Sequence, residues 1–140
     1  MAQKDFDNEV KTAKRVVQIL ANTTAALKSQ DADERLLAAA LLISKYRTPK
    51  APFPRQEEPI DAAENKLILK AIADAKWGPF VFGKEHPQQL FFQLGVRPED
   101  GWQQPKKISS PDDLPNAIKG WIREHGDTYR IKRYVQASDR

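Results

Sequence analysis

Residues 31–47 read DADERLLAAALLISKYR, a capped start followed by an apolar run, and this pairing decides the fold. Asp31 stands at an N-cap position with Glu34 three residues on, the spacing of a capping box with an aspartate cap. The run Leu36 to Ile43 is apolar on every face of a 3.6-residue helix. A helix of that kind is buried on most sides, so this is the central helix. The run is eight residues long, and a bilayer needs about 20. The helix should end near Arg47, because Thr48 precedes Pro49 and is pushed away from helical angles.

Upstream, Phe6, Val10, Ala13, Val17, Leu20, Thr24 and Leu27 recur at spacings of four and three. One apolar stripe at that period predicts a helix over 5–29, interrupted in its apolar character at Thr24. Downstream, TPKAPFPRQEEP (48–59) holds Pro49, Pro52, Pro54 and Pro59. Fixed φ angles and missing donors make it an extended connection with polyproline character. Pro49 to Pro52 has the P-x-x-P form, but a stiff connection pinned to the core by Phe53 is the simpler reading.

A third helix repeats the start signal in DAAE (61–64) and runs through LILKAIADAKW to Trp77. Two capped, buried helices explain the likeness of the two starts without an internal repeat. Beyond Pro79 the texture changes. FVF (80–82) reads as a short strand. HPQQLFFQLGV (86–96) reads as a short helix starting near Pro87, with Gly95 at the left-handed C′ position. RPEDGWQQPKKISSPDD (97–113) is loop, and its Lys106 and Lys107 would add to the basic face of the last strand if the fold brings them near. Pro115 marks the first turn of a last helix, NAIKGWIREH, closed by Gly126. TYRIKRYVQ (128–136) alternates and is rich in Tyr, Ile and Val, as a strand should be.

The expected fold is α+β and predominantly α. An N-terminal three-helix unit precedes a small α/β portion with two or three short strands, FVF pairing with YRIKRYV. The chain reads as a single domain over 1–140: a helical hairpin at 1–47, a Pro-rich connection at 48–60, a buried helix at 61–77 and the α/β portion at 78–140.

With 140 residues and no cysteine, the chain offers no disulfide, thiolate metal site or cysteine nucleophile. The opening MAQKDFDNEV lacks the apolar core of a secretory signal, so a soluble cytoplasmic protein without a membrane partner is expected. The six glycines give no G-x-G-x-x-G, and Gly78 and Gly83 match a P-loop in spacing only, because Glu85 stands where Ser or Thr is needed. G-x-S-x-G is absent. DADE lacks the later ligands and glycine of a calcium loop, and two isolated histidines do not make a zinc site. No cofactor or metal is expected. The acid pairs Glu57-Glu58, Glu99-Asp100 and Asp112-Asp113 fall in loops or helix starts, where solvated turns explain them.

The net charge is +4, and it is unevenly spread. Residues 44–56 carry Lys45, Arg47, Lys50 and Arg55 with no acid, and residues 128–140 carry four basic residues with one acid. In a strand, Tyr129, Ile131, Arg133 and Val135 share an inner face, and Thr128, Arg130, Lys132 and Tyr134 an outer one. Cations beside a tyrosine suit phosphate contact and base stacking. They equally suit an edge strand protected by charge. Arg130, Lys132, Arg133 and Tyr134, helped by Lys45, Arg47, Lys50 and Arg55, are therefore the nucleic-acid-binding candidates. Phe53 and Trp102 are the protein-binding candidates, with Trp77 and Trp121 the other aromatics of interest. The third helix is apolar and only mildly basic (Lys66, Lys70, Lys76), unlike the recognition helix of a winged-helix protein. The expected function is a non-enzymatic protein-binding or scaffolding module whose partner is another protein. The alternatives are nucleic-acid binding by the basic C-terminal strand and a small enzyme using His125, whose neighbours Glu124 and Asp127 invite an acid/base reading.

Overall fold

The computed structural model describes residue 14 and residues 21–48, 55–78 and 85–136. In chain order it contains α1 (Thr23–Ala26), α2 (Ala32–Arg47), β1 (Arg55–Pro59), α3 (Ala62–Asp74), α4 (Pro87–Gln93), a 3-10 turn (Pro98–Asp100), α5 (Asp113–His125) and β2 (Lys132–Gln136). The fold is α+β and predominantly helical, with one antiparallel sheet of two strands among the described residues. No helix among them is long and apolar enough to cross a membrane.

The helix expected over 5–29 does not run unbroken. Lys14 and Ala21 are helical, but Asn22 leaves helical angles and its side chain accepts from the Ala25 amide at 3.0 Å, capping α1. A short polar side chain that binds local backbone competes with the helix, so the apolar spacing continues where the helix stops. The remainder of the expected helix lies outside the described residues.

α2 begins and ends as its sequence requires. The Asp31 carboxylate accepts from the Asp33 amide at 2.9 Å, and Thr48 is extended. Glu34 does not complete a capping box; it accepts from the Ser29 hydroxyl at 2.8 Å and ties down the preceding turn. Leu36, Ala38, Ala39, Ala40, Leu42 and Ile43 are buried, and α2 touches α1, α3, α4 and β2. Its alanines leave room for neighbouring backbones to approach. Each fully buried aliphatic such as Ile43 adds roughly 1.5–3 kcal/mol of transfer free energy.

The sheet includes a strand not expected from the sequence. β2 pairs with β1, in the register Arg55↔Gln136 to Pro59↔Lys132, and the Ile60 amide extends it by donating to the Ile131 carbonyl at 2.9 Å. FVF (80–82) lies outside the described residues. The second half of the proline stretch serves as a strand because RQEE keeps its N–H donors and Pro59 stands at the strand end, where a missing donor is tolerated. The expected alternation holds in part: Ile131 and Val135 are buried and Lys132 is exposed, but Arg133, expected on the inner face, is exposed, and Arg130 and Tyr134, expected outside, are half-buried.

α3 is capped by Asp61, whose carboxylate accepts from the Glu64 amide at 3.1 Å, and it ends at Asp74 rather than running on to Trp77. α4 starts at Pro87 with buried His86 as its cap. The His86 Nδ1 accepts from the Gln88 amide at 3.1 Å, so the tautomer carries its proton on Nε2 and donates to the Gly78 carbonyl at 2.8 Å. Gly95 follows α4 at φ +74, the left-handed angle expected of it. α5 opens with Asp113, which accepts from the Ser109 and Ser110 amides at 2.7 and 3.0 Å.

An aromatic cluster closes this end of the core. Phe91 packs edge-on against Trp102 and Trp121 at centroid distances of 4.9 and 5.6 Å, and Trp121 packs edge-on against Tyr129 at 5.0 Å. Trp102 was a protein-binding candidate, but it is 8% exposed and belongs to this core.

Two tyrosines take up unusual environments. Burial, with the Asp100 carboxylate nearby, pushes the Tyr129 hydroxyl up to about 12. Burial also raises Tyr46, whose hydroxyl donates to Glu64 and so binds the end of α2 to the start of α3. Both phenols hold their protons more tightly folded than unfolded, where they ionise near 10. The folded state therefore binds more protons in that range, and stability falls as pH rises from about 10 towards 12. A urea midpoint lower at pH 11 than at pH 9, with the difference reduced in Tyr129→Phe, is the expected result. An identical pH response in that variant would contradict it.

Candidate binding groove

Of the basic residues singled out in the sequence, Arg47, Arg130 and Arg133 are engaged within the fold. Arg47 leaves the end of α2 and donates to the Gln93 carbonyl at 3.2 Å, the Lys132 carbonyl at 3.1 Å and the Tyr134 hydroxyl at 3.3 Å. Its guanidinium lies 4.6 Å from the Tyr134 ring centroid and 3.8 Å from the Glu57 carboxylate. Arg130 donates to the Ile60 carbonyl, and Arg133 lies 3.4 Å from Glu58 across the ribbon. Lys45, Lys132 and Arg133 are the exposed cations of this set among the described residues, and of these Arg133 is paired with Glu58. Lys50 and Phe53 lie outside the described residues, and Arg55 contributes backbone to β1. Among the described residues the two basic stretches meet through Arg47, beside Lys132 and Tyr134, and Glu57 and Glu58 of β1 offset the charge of Arg47 and Arg133.

His125 sits at the end of α5, stacked on Trp121 at 5.6 Å. Adjacent helix positions diverge, yet Glu124 reaches back to within 3.8 Å of the His125 Nε2. The cleft beside it is lined by Glu99, Asp100, Gly101, Thr128 and Tyr129. Gly101 is at φ +85, and a Cβ there would meet the imidazole at 2.8 Å, so this glycine is what lets the ring lie flat against the turn. Asp100 is already committed: its carboxylate accepts from the Arg97 amide at 2.9 Å and its carbonyl from the Trp121 indole at 3.0 Å. Among the described residues no hydroxyl or carboxylate hydrogen-bonds the His125 ring, and no group of three His, Asp or Glu could hold a metal ion.

A different site stands between α3 and α5. Lys66, Leu69, Lys70, Ala73 and Asp74 form one stripe of α3, and Lys119, Ile122, Arg123 and Gly126 the matching stripe of α5. Together with Asp127 they line an open groove of about 360 Å³. Buried Leu69 and Ile122 and half-buried Ala73 make its floor. Lys66 and Lys70 stand on one rim, Lys119 and Arg123 on the other, each pair four residues apart. Lys66 lies 3.7 Å from Asp127 at one end, and the Lys119 ammonium lies 5.7 Å from the Trp77 ring centroid at the other, so the helices run antiparallel along the groove. Lys70 and Arg123 are exposed and have no ion-pair partner among the described residues.

The two i, i+4 basic pairs were visible in the sequence, beside positions expected to be buried. What was not visible was that α3 and α5 pack together, which turns two mildly basic helix flanks into one cationic groove.

No family model, curated protein or solved structure matches this chain.

Proposed function

We propose that this protein is a non-enzymatic protein-binding module whose partner docks in the groove between α3 and α5. The observation that carries this is an apolar floor lying open between two parallel rows of charge. Amphipathic helices are taken up by grooves of this form, with an apolar face inward and polar flanks outward. Phe92 and Ile108, the large apolar side chains exposed elsewhere among the described residues, lie on separate segments.

The test is selection from a random peptide display library, followed by mapping of the selected peptides through backbone amide shifts. Binders should shift Leu69, Lys70, Ala73, Lys119 and Ile122. They should weaken about tenfold or more in Ala73→Arg, which fills the floor with a bulky cation, an interface change on the scale of a hot spot. Binders that map elsewhere, or the failure of any peptide to bind, would overturn the proposal.

A further inference from the structure

We infer that the docked segment is an acidic amphipathic helix; this deepens the protein-binding reading and rests on it. The charge of the groove points to the sign of the partner. Its walls carry Lys66, Lys70, Lys119 and Arg123 against Asp74 and Asp127. Asp127 is held by Lys66, an exposed pair that stays in place with little energetic consequence. Lys119 is drawn over Trp77. Lys70 and Arg123 remain, on opposite rims, both solvent-exposed and both without an ion-pair partner among the described residues. Two unneutralised cations facing each other across an apolar floor complement a ridge of apolar side chains flanked on each side by carboxylates.

Length points the same way. Lys66 to Asp74 covers nine residues of α3, a rise of about 12 Å at 1.5 Å per residue step. That is a little over two helical turns, enough for apolar residues at i, i+3 or i+4 and i+7 of a docked helix. Those side chains would meet Leu69, Ala73 and Ile122. Carboxylates one position to either side would reach Lys70 and Arg123.

A nucleic-acid strand fits this groove less well. Bases bind on aromatic platforms, and the floor is aliphatic. A phosphodiester backbone continues past both ends, where Asp74 and Asp127 stand and repel it. A docked helix can set carboxylates toward Lys70 and Arg123 and uncharged residues toward Asp74 and Asp127, whereas a phosphodiester backbone carries a charge at every unit.

The experiment extends the same selection with peptides of about 15 residues, long enough for a helix to form once docked. The readouts are the net charge and apolar spacing of the selected pool, and affinity at two salt concentrations. The expected pool is acidic, carries apolar residues at helical spacing, and binds more weakly at high salt. The Lys70→Glu/Arg123→Glu double variant should lose about tenfold or more in affinity, since like charges then face each other. Lys45→Glu/Lys132→Glu, away from the groove, should not. Both variants change exposed side chains, and a thermal melt checks that each still folds. A groove-mapped pool that is neutral or basic, or one indifferent to the double variant, overturns the acidic reading and leaves protein docking standing. A single-stranded oligonucleotide that shifts the same amides and displaces the selected peptides overturns it in favour of nucleic acid. If no peptide maps to the groove, both readings fall together.

Discussion

Arg47→Ala is expected to lower stability by about 3 kcal/mol. Hydrogen bonds to a charged group are worth roughly 1.5–3 kcal/mol each, and a cation over an aromatic ring adds roughly 0.5–1 kcal/mol at a partly exposed site. Arg47 makes three hydrogen bonds and one ring contact, with its side chain 16% exposed. Discounting for the exposed acceptors brings the sum to that figure. The loss should be concentrated in the ribbon. Two paired strands are marginal alone, and Arg47 is the residue that fastens both β1 and β2 to the end of α2. Hydrogen exchange should therefore accelerate at the β1 and β2 amides before it does in α2 or α3. Arg47→Lys should recover little, because a point charge cannot copy a planar fork spread over three acceptors. Tyr134→Phe, which keeps the ring and loses one acceptor, should cost well under half as much. An unfolding free energy from urea titration for Arg47→Ala within about 0.5 kcal/mol of the parent would remove Arg47 from this role.

That role shows where sequence reading reached its limit. Arg47 was grouped with Lys45, Lys50 and Arg55 because no acid lies among them in sequence. Its acceptors, Gln93 and Lys132, stand 46 and 85 residues away, and its carboxylate partner Glu57 comes from β1. Signals that depend on a few neighbouring residues were legible: the caps at Asp31 and Asp61, proline at the start of α4, and the left-handed Gly95. The inward face of β2 was legible too, since alternation is a property of the strand itself. The identity of its partner was not. FVF has the stronger intrinsic strand composition, and RQEEP was disguised by the prolines before it. The helix over 5–29 departs from expectation at Asn22, among the described residues, for the opposite reason. Its apolar period was clear, but Asn22 offers the backbone a local hydrogen bond that periodicity does not register. The groove needed the packing of α3 on α5, and nothing in either helix alone announces the other.

Asn65→Leu is expected to cost about 3–4 kcal/mol and to loosen β2 at its start. Asn65 is 2% exposed, in the first turns of α3, where a helix gains nothing from asparagine. Its place is explained by what its amide does. The Nδ2 donates to the Tyr129 carbonyl at 2.9 Å, and the Oδ1 accepts from the Ile131 amide at 2.6 Å. The two backbone groups fix which way the amide points, because one can only accept and the other can only donate. Asn65 thus continues the ladder that β1 begins, serving as a strand neighbour for the residues just before β2. Ile131 is fully buried. Leucine matches the shape and leaves a buried donor and a buried acceptor unpaired, at about 1–3 kcal/mol each. Asn65→Asp separates the two bonds. Its carboxylate can still accept from Ile131, but it faces the Tyr129 carbonyl with no proton to donate. Burial favours the neutral acid, which restores the donor. The aspartate variant is therefore expected to gain stability relative to the parent as pH falls, while the leucine variant stays at a fixed deficit. Parallel pH profiles for the two variants would show that the loss at Asn65 is one of packing and not of paired hydrogen bonds.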